Sequence, residues 1–187
     1  MKKIAITGNI ASGKTIVENY FKELGYKTLC LDDVTSKLYE NSHFKKELIK
    51  LFNTTDKKEI SGLVFSDKTK LKALEALILP LIKEKMFEFF NENNNEKIVF
   101  VAAPTLFEAG YEIYFDEIIF VSSNENLRLE RLIKRNNLSQ NEALNKINSQ
   151  IKEEFKIKKC SKILTNNGSK EEFLNQIIKL KEELSTL

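Results

Sequence analysis

Eight consecutive residues hold the clearest chemistry in the chain: Gly8-Asn9-Ile10-Ala11-Ser12-Gly13-Lys14-Thr15. They satisfy the pattern G-x-x-x-x-G-K-[ST] at every required position. Glycines let the backbone turn successive N–H groups inward around a phosphate, and a following helix adds its positive N-terminal end. Lys14 can reach the β- and γ-phosphates of a nucleotide, and the Thr15 hydroxyl can ligate Mg²⁺. Gly8, Ala11, Ser12, Gly13, Lys14, Thr15 and Ile16 are therefore the candidate nucleotide-binding residues. The context agrees: the apolar run Lys3–Thr7 precedes the loop as a strand. Ile16, Val17, Tyr20, Phe21 and Leu24 follow at helical spacing until Gly25.

Two further groups can do chemistry beside a phosphate. Asp32 and Asp33 close a second short strand, Lys27–Leu31. Ligands of parallel α/β sheets gather at the carboxyl ends of strands. A carboxylate there can take a proton from an attacking hydroxyl or hold a metal through water. Either aspartate can instead cap the next helix; we assign the chemistry to Asp33. The second group is arginine. Of 30 basic residues only Arg128, Arg131 and Arg135 are not lysine, and they stand at i, i+3 and i+7 on one helical face. Guanidinium forks phosphate oxygens in a way lysine does not. A solvated face paired with Glu125 and Glu130 would have been served by lysine, so the stripe reads as a lid closing on phosphate, with Arg131 at its centre and Arg135 beside it. Glu108, after Pro104-Thr105-Leu106-Phe107, serves either the framework or the mouth of the site.

The remaining composition narrows the class. With 30 basic and 27 acidic residues the net charge is only +3, against the basic excess of a nucleic-acid or membrane-surface binder. The 42% apolar content supports a core, while two cysteines and one histidine exclude a disulfide scaffold and thiolate or His-rich metal sites. No signal peptide and no apolar run of about 18 residues is present, as expected for a cytoplasmic protein. A GTPase needs Asn-Lys-x-Asp, and Asn145-Lys146-Ile147-Asn148 lacks the aspartate. At 187 residues there is no room for the added domains of most motor ATPases. A small-molecule kinase remains, with a module that binds ATP without transfer as the alternative of another class.

These residues need a frame. Strands are expected at Lys3–Thr7, Lys27–Leu31, Lys97–Ala102, Glu117–Val121 and Lys162–Thr165, with helices between them. The helices are placed at Thr15–Leu24, from Asp32 and Asp33 as N-cap candidates to Tyr39, and at Phe44–Phe52. Others follow at Lys68–Phe90, Asn126–Arg135, Ser139–Phe155 and Glu171–Leu184. Asn53–Lys58 reads as a polar loop, and Pro80 predicts a break or kink near Leu79. Strands alternating with helices make an α/β fold, a doubly wound parallel five-stranded sheet in one domain. His43 reads as a surface helix residue and Cys30 and Cys160 as small fillers near strand ends.

In order and spacing the motifs resemble the dephospho-coenzyme A kinase family along nearly the whole chain. Ile4-Ala5-Ile6-Thr7-Gly8 through Thr15 is similar to that family's start, and Leu31-Asp32-Asp33 to its D-x-D strand end, with Asp33 at the catalytic aspartate. Leu79-Pro80-Leu81-Ile82 resembles its H-P-x-I, and Ala103–Glu108 its P-L-L-F-E run. Leu129-Glu130-Arg131 with Lys134-Arg135 resembles its lid helix, Ile147–Gln150 the helix after it, and Leu164–Gly168 its late I-x-N-x-G. Departures exist: Asn9, Ala11 and Thr15 stand for Gly, Gly and Ser, Leu31 for the first strand-end aspartate, and Leu79 for histidine. Cys160-Ser161 stands for Ala-Asp, and the stretch Asn53–Phe65 is short. The resemblance implies a P-loop kinase fold with a helical acceptor-binding insertion at 39–90 and a lid at 126–155. It implies transfer of the ATP γ-phosphoryl, with Mg²⁺, to the ribose 3′-hydroxyl of dephospho-coenzyme A. Asp33, Lys14 and Arg131 would be catalytic, and Thr7, Asp33, Pro80 and Glu108 would bind the acceptor.

Overall fold

The structure, a computed structural model, describes residues 1–185. In chain order the elements are β1 (Lys2–Thr7), α1 (Lys14–Glu23), β2 (Lys27–Cys30), α2 (Leu31–Leu38), α3 (Ser42–Phe52), α4 (Lys57–Ser66) and α5 (Lys68–Glu92). Then come β3 (Ile98–Ala102), a 3₁₀ turn at Tyr111–Tyr114, β4 (Glu117–Ser122), α6 (Glu125–Asn136), α7 (Gln140–Asn148), α8 (Glu153–Ile157), β5 (Lys162–Thr165) and α9 (Lys170–Ser185). They form two compact units, Cys30–Asn94 and the remainder of the chain.

The larger unit is built on a five-stranded sheet in the order β2-β3-β1-β4-β5. The β1–β3, β1–β4 and β4–β5 ladders are all parallel, with Ile4 opposite Phe100 and Ile6 opposite Ile119. Every residue of β3 is buried, as expected of an interior parallel strand with both faces covered. α1 and α9 lay apolar stripes on this sheet: Val17 and Phe21 from one, and Phe173, Ile177, Leu180 and Leu184 from the other. Phe21 stacks on Phe100 at 4.1 Å between centroids, and Tyr26 meets both rings edge-on. α1 ends where expected: Gly25 at φ 88° lets its own N–H reach Lys22 O and that of Tyr26 reach Phe21 O, a Schellman closure.

The smaller unit is helical, with α2, α3 and α4 each packed on α5. Three expectations change here. Asp32 and Asp33 are not N-caps: Cys30 holds that position and both carboxylates lie in the first turn of α2, where the helix dipole favours negative charge. The loop after α3 ends at Asp56, whose carboxylate caps Lys58 N and Glu59 N, so α4 fills a stretch with no helix expected. α5 also runs unbroken through Pro80. The ring forfeits one ladder bond, but Ile78, Ile82, Met86 and Phe90 are buried at successive fourfold spacing along 25 residues, and that packing holds the helix.

In the larger unit, the helix expected over Ser139–Phe155 is two. α7 opens with a capping box between Ser139 and Glu142 and ends at Asn148, and α8 begins at Glu153. Between them Ile151 N points to the Glu108 carboxylate (3.4 Å) instead of a helical carbonyl. Among the described residues no helix is long and apolar enough to cross a membrane.

Candidate active site

The phosphate loop leaves β1 and enters α1 in three left-handed steps, Gly8 (φ 152°), Ala11 (φ 61°) and Gly13 (φ 106°). Both glycines are also required by close approach. A Cβ at Gly8 would run into Val121 O, and one at Gly13 into the Asn166 amide. Ser12 N donates back to Asn9 O (3.2 Å), tightening the turn. Lys14 Nζ donates to Gly8 O (2.8 Å) and Asn9 O (3.1 Å), which holds the ammonium over its own loop. Ser12 Oγ and Asn9 Oδ1 are buried and, among the described residues, have no hydrogen-bond partner. Thr15 and Ile16 are exposed on the first turn of α1. A cradle of this form suits a polyphosphate: the N-terminus of α1, a lysine at the rim, and no room for side chains at the glycines. Among the described residues no group of three or more His, Cys, Asp or Glu can hold a metal.

The carboxyl ends of the neighbouring strands brace the loop. Thr7 is fully buried and its hydroxyl donates to Ala103 O (2.8 Å), joining the ends of β1 and β3. That makes it a strut with no exposed surface. Asn166, just past β5 and 7% exposed, donates Nδ2–H to Ser12 O (2.7 Å). Ser123, after β4, donates its hydroxyl to Asn166 O (2.9 Å). Arg131 completes this corner, with Nη1 on Ser123 Oγ and Nη2 on Asn166 O, both at 3.1 Å.

The arginine stripe therefore divides, where one shared face was expected. Arg131 sits against the loop's brace. Arg128 is buried, with Nε on Ser123 O (3.0 Å) and Nη2 3.8 Å from Glu125, so it serves the framework; its Nη1 has no partner among the described residues. Arg135 is exposed and, among the described residues, donates to its neighbour Asn136 (2.9 Å). Glu108 is likewise committed. Its carboxylate takes Lys156 Nζ at 2.7 Å, and that lysine is only 1% exposed. In the smaller unit, Asp33 is exposed in the first turn of α2, and Pro80 is exposed along α5.

Asn166, Gln150 and Lys156 were not among the expected site residues. Asn166 lay within reach of the strand-end rule that singled out Asp33, since it follows β5 immediately. Gln150 lay inside the stretch Ile147–Gln150 that carries part of the family resemblance, without a role assigned to it; for Lys156, a polar residue in a polar stretch, one sequence holds no signal. Cys160 fills space as expected: burial pushes its thiol up to about 11, against the pull of the Lys156 charge.

A family model described as dephospho-CoA kinase matches residues 2–172. The dephospho-CoA kinase of Rickettsia typhi is 35% identical over 191 residues, covering 98% of both chains. Two solved structures agree along their length. A protein described as TT1252 from Thermus thermophilus has a TM-score of 0.83 at 34% identity, over 98% of this chain and 97% of its own. A dephospho-CoA kinase from Campylobacter jejuni has a TM-score of 0.73 at 29% identity, over 100% of this chain and 98% of its own.

Proposed function

The chain belongs to the dephospho-CoA kinase family of ATP-dependent kinases, and on that footing we propose how its residues divide the work of phosphoryl transfer. The reaction moves the γ-phosphoryl of ATP to the ribose 3′-hydroxyl of dephospho-coenzyme A. A new P–O bond forms at the 3′-oxygen, the bridge to the β-phosphate breaks, and ADP leaves. Such a transfer asks a protein mainly for positioning and charge compensation.

The N–H groups from Ala11 to Thr15 bind the phosphates, and Lys14 swings from its loop carbonyls onto the β- and γ-oxygens. Thr15 would hold Mg²⁺ in part through its hydroxyl, and the ion would supply charge neutralisation at the phosphates. Asp33 orients the 3′-hydroxyl and takes its proton; its place at the carboxyl end of β2 supports this reading. Arg131 covers the phosphates from the Asn166 side, and Arg135, unengaged by the core, joins it as the 126–155 segment closes. The helical segment 39–90, with Pro80, carries the acceptor side, and Thr7 and Glu108 act through the loops they brace.

The observation that carries the proposal is the loop itself, whose glycines are fixed by the approach of Val121 and Asn166. The test is a mass-spectrometric acceptor panel of protein, ATP and Mg²⁺ with dephospho-coenzyme A, nucleosides, nucleotides and shikimate. Phosphorylated dephospho-coenzyme A alone, with ADP in step, is the expected result. Product from another acceptor, or from none while ATP binds, would overturn it.

A further inference from the structure

One peptide of the phosphate loop is held from both sides. The carbonyl of the Asn9–Ile10 peptide, Asn9 O, accepts from Lys14 Nζ (3.1 Å) and from Ser12 N (3.2 Å). Its N–H, on Ile10, points the other way and donates to Gln150 Oε1 at 2.7 Å, across 140 positions of sequence. A peptide is planar, so fixing the direction of one end fixes the other. Rotating this plane would turn the carbonyl away from Lys14 and Ser12 together. The next residue, Ala11, sits at φ 61°, which a non-glycine residue keeps only when its surroundings hold it.

Gln150 is itself firmly placed. It lies between α7 and α8, and its own N–H reaches Ile147 O (3.3 Å). The residues after it are tied down in turn: Ile151 N and Lys156 Nζ to Glu108, and Glu153 to the Ser122 hydroxyl at the end of β4. The side chains of Ile10 and Ala11 pack with Leu132, Ala143 and Ile147 of α6 and α7. The tip of the loop is thus seated on the same helices by apolar contact and by one hydrogen bond of fixed direction.

We propose that Gln150 is a positioning residue for nucleotide binding. It sets the Asn9–Ile10 peptide plane, and through that plane the resting place of Lys14 and the turn at Ala11. The proposal rests on the kinase reading only for the identity of the polyphosphate as ATP. It also makes the α7–α8 segment part of the phosphate site, because a shift of that segment moves the acceptor of the Ile10 N–H.

The test compares the full chain with Gln150→Met, which keeps the shape and loses the acceptor, and Gln150→Glu, which keeps an acceptor oxygen. Amide exchange at Ile10 is followed by NMR, MgATP affinity by titration calorimetry, and folding by thermal melting. Gln150→Met is expected to exchange Ile10 at least about tenfold faster and to bind MgATP about tenfold more weakly, the equivalent of one hydrogen bond. Its melting temperature should stay within about 2 °C of the parent, as for a change near the surface. Gln150→Glu should keep Ile10 protected, whatever its added charge does to affinity. Unchanged exchange or unchanged affinity in Gln150→Met would overturn the proposal. So would an affinity loss accompanied by a large fall in melting temperature, which would mark a general structural role. Failure of the wild-type chain to phosphorylate dephospho-coenzyme A would sink the functional reading and leave these comparisons readable.

Discussion

Removing the Glu108 carboxylate is expected to destabilise the protein far more than removing its partner. Lys156 is 1% exposed and its ammonium lies 2.7 Å from Glu108 Oε1, whereas the Glu108 side chain retains 24% exposure. Glu108→Ala therefore strands a cation with no route to water, and breaking a buried pair this way costs about 3–5 kcal/mol. Lys156→Met keeps most of the stem's volume and leaves a carboxylate that still faces solvent and Ile151 N, a loss of about 1–2 kcal/mol. At about 2–4 °C per kcal/mol for a chain of this size, Glu108→Ala should melt roughly 6–20 °C lower. The double variant Glu108→Ala/Lys156→Met should recover much of the loss, because no unpaired charge remains. Urea unfolding of the four proteins at pH 7, followed by circular dichroism, completes the double-mutant cycle. The reasoning is refuted if Glu108→Ala lies within about 1 kcal/mol of the parent, or if Lys156→Met costs as much.

Asp33→Asn should bind MgATP within about twofold of the parent and lose about 10²–10⁴-fold in turnover, read by calorimetry and a coupled ADP assay. Arg131→Lys should also lose turnover, since an ammonium lacks the planar fork that takes Ser123 Oγ and Asn166 O on separate nitrogens and can still meet a phosphate; unchanged kcat would discard the assigned role. Gly13→Ala should abolish measurable MgATP binding, because its Cβ meets the Asn166 amide at a left-handed φ of 106°. In a Cys30→Ser background, thiol labelling of Cys160 should be negligible at pH 8 and rise toward pH 11. Because the folded thiol is raised above its ordinary 9.0, the unfolded chain releases this proton first. This group's contribution to stability is therefore present below pH 9 and falls between pH 9 and about 11.

The strands and the phosphate loop were legible because their signals are local. A buried strand is a short apolar run, and the loop is one strand-turn-helix whose residue types follow from phosphate binding. α4 was missed because its buried face is a single residue, Ile60, so no apolar stripe marks it. The break between α7 and α8 was missed for the opposite reason. The sequence is helical in character there, and it is the tie of Ile151 N to Glu108, 43 positions away, that diverts the chain. The arginine stripe was correctly located on one helix, but helical spacing says nothing about what each residue faces.

The sequence alone thus determined which residues could meet a phosphate, and the resemblance running along the chain pointed to the family. Tertiary structure decided how that loop is held. Asn166 reaches Ser12 across 154 positions, Gln150 reaches Ile10 across 140, and Lys156 reaches Glu108 across 48. A hydrogen bond between distant residues leaves no period and no local composition in one chain. It exists only once parallel strands bring their carboxyl ends side by side.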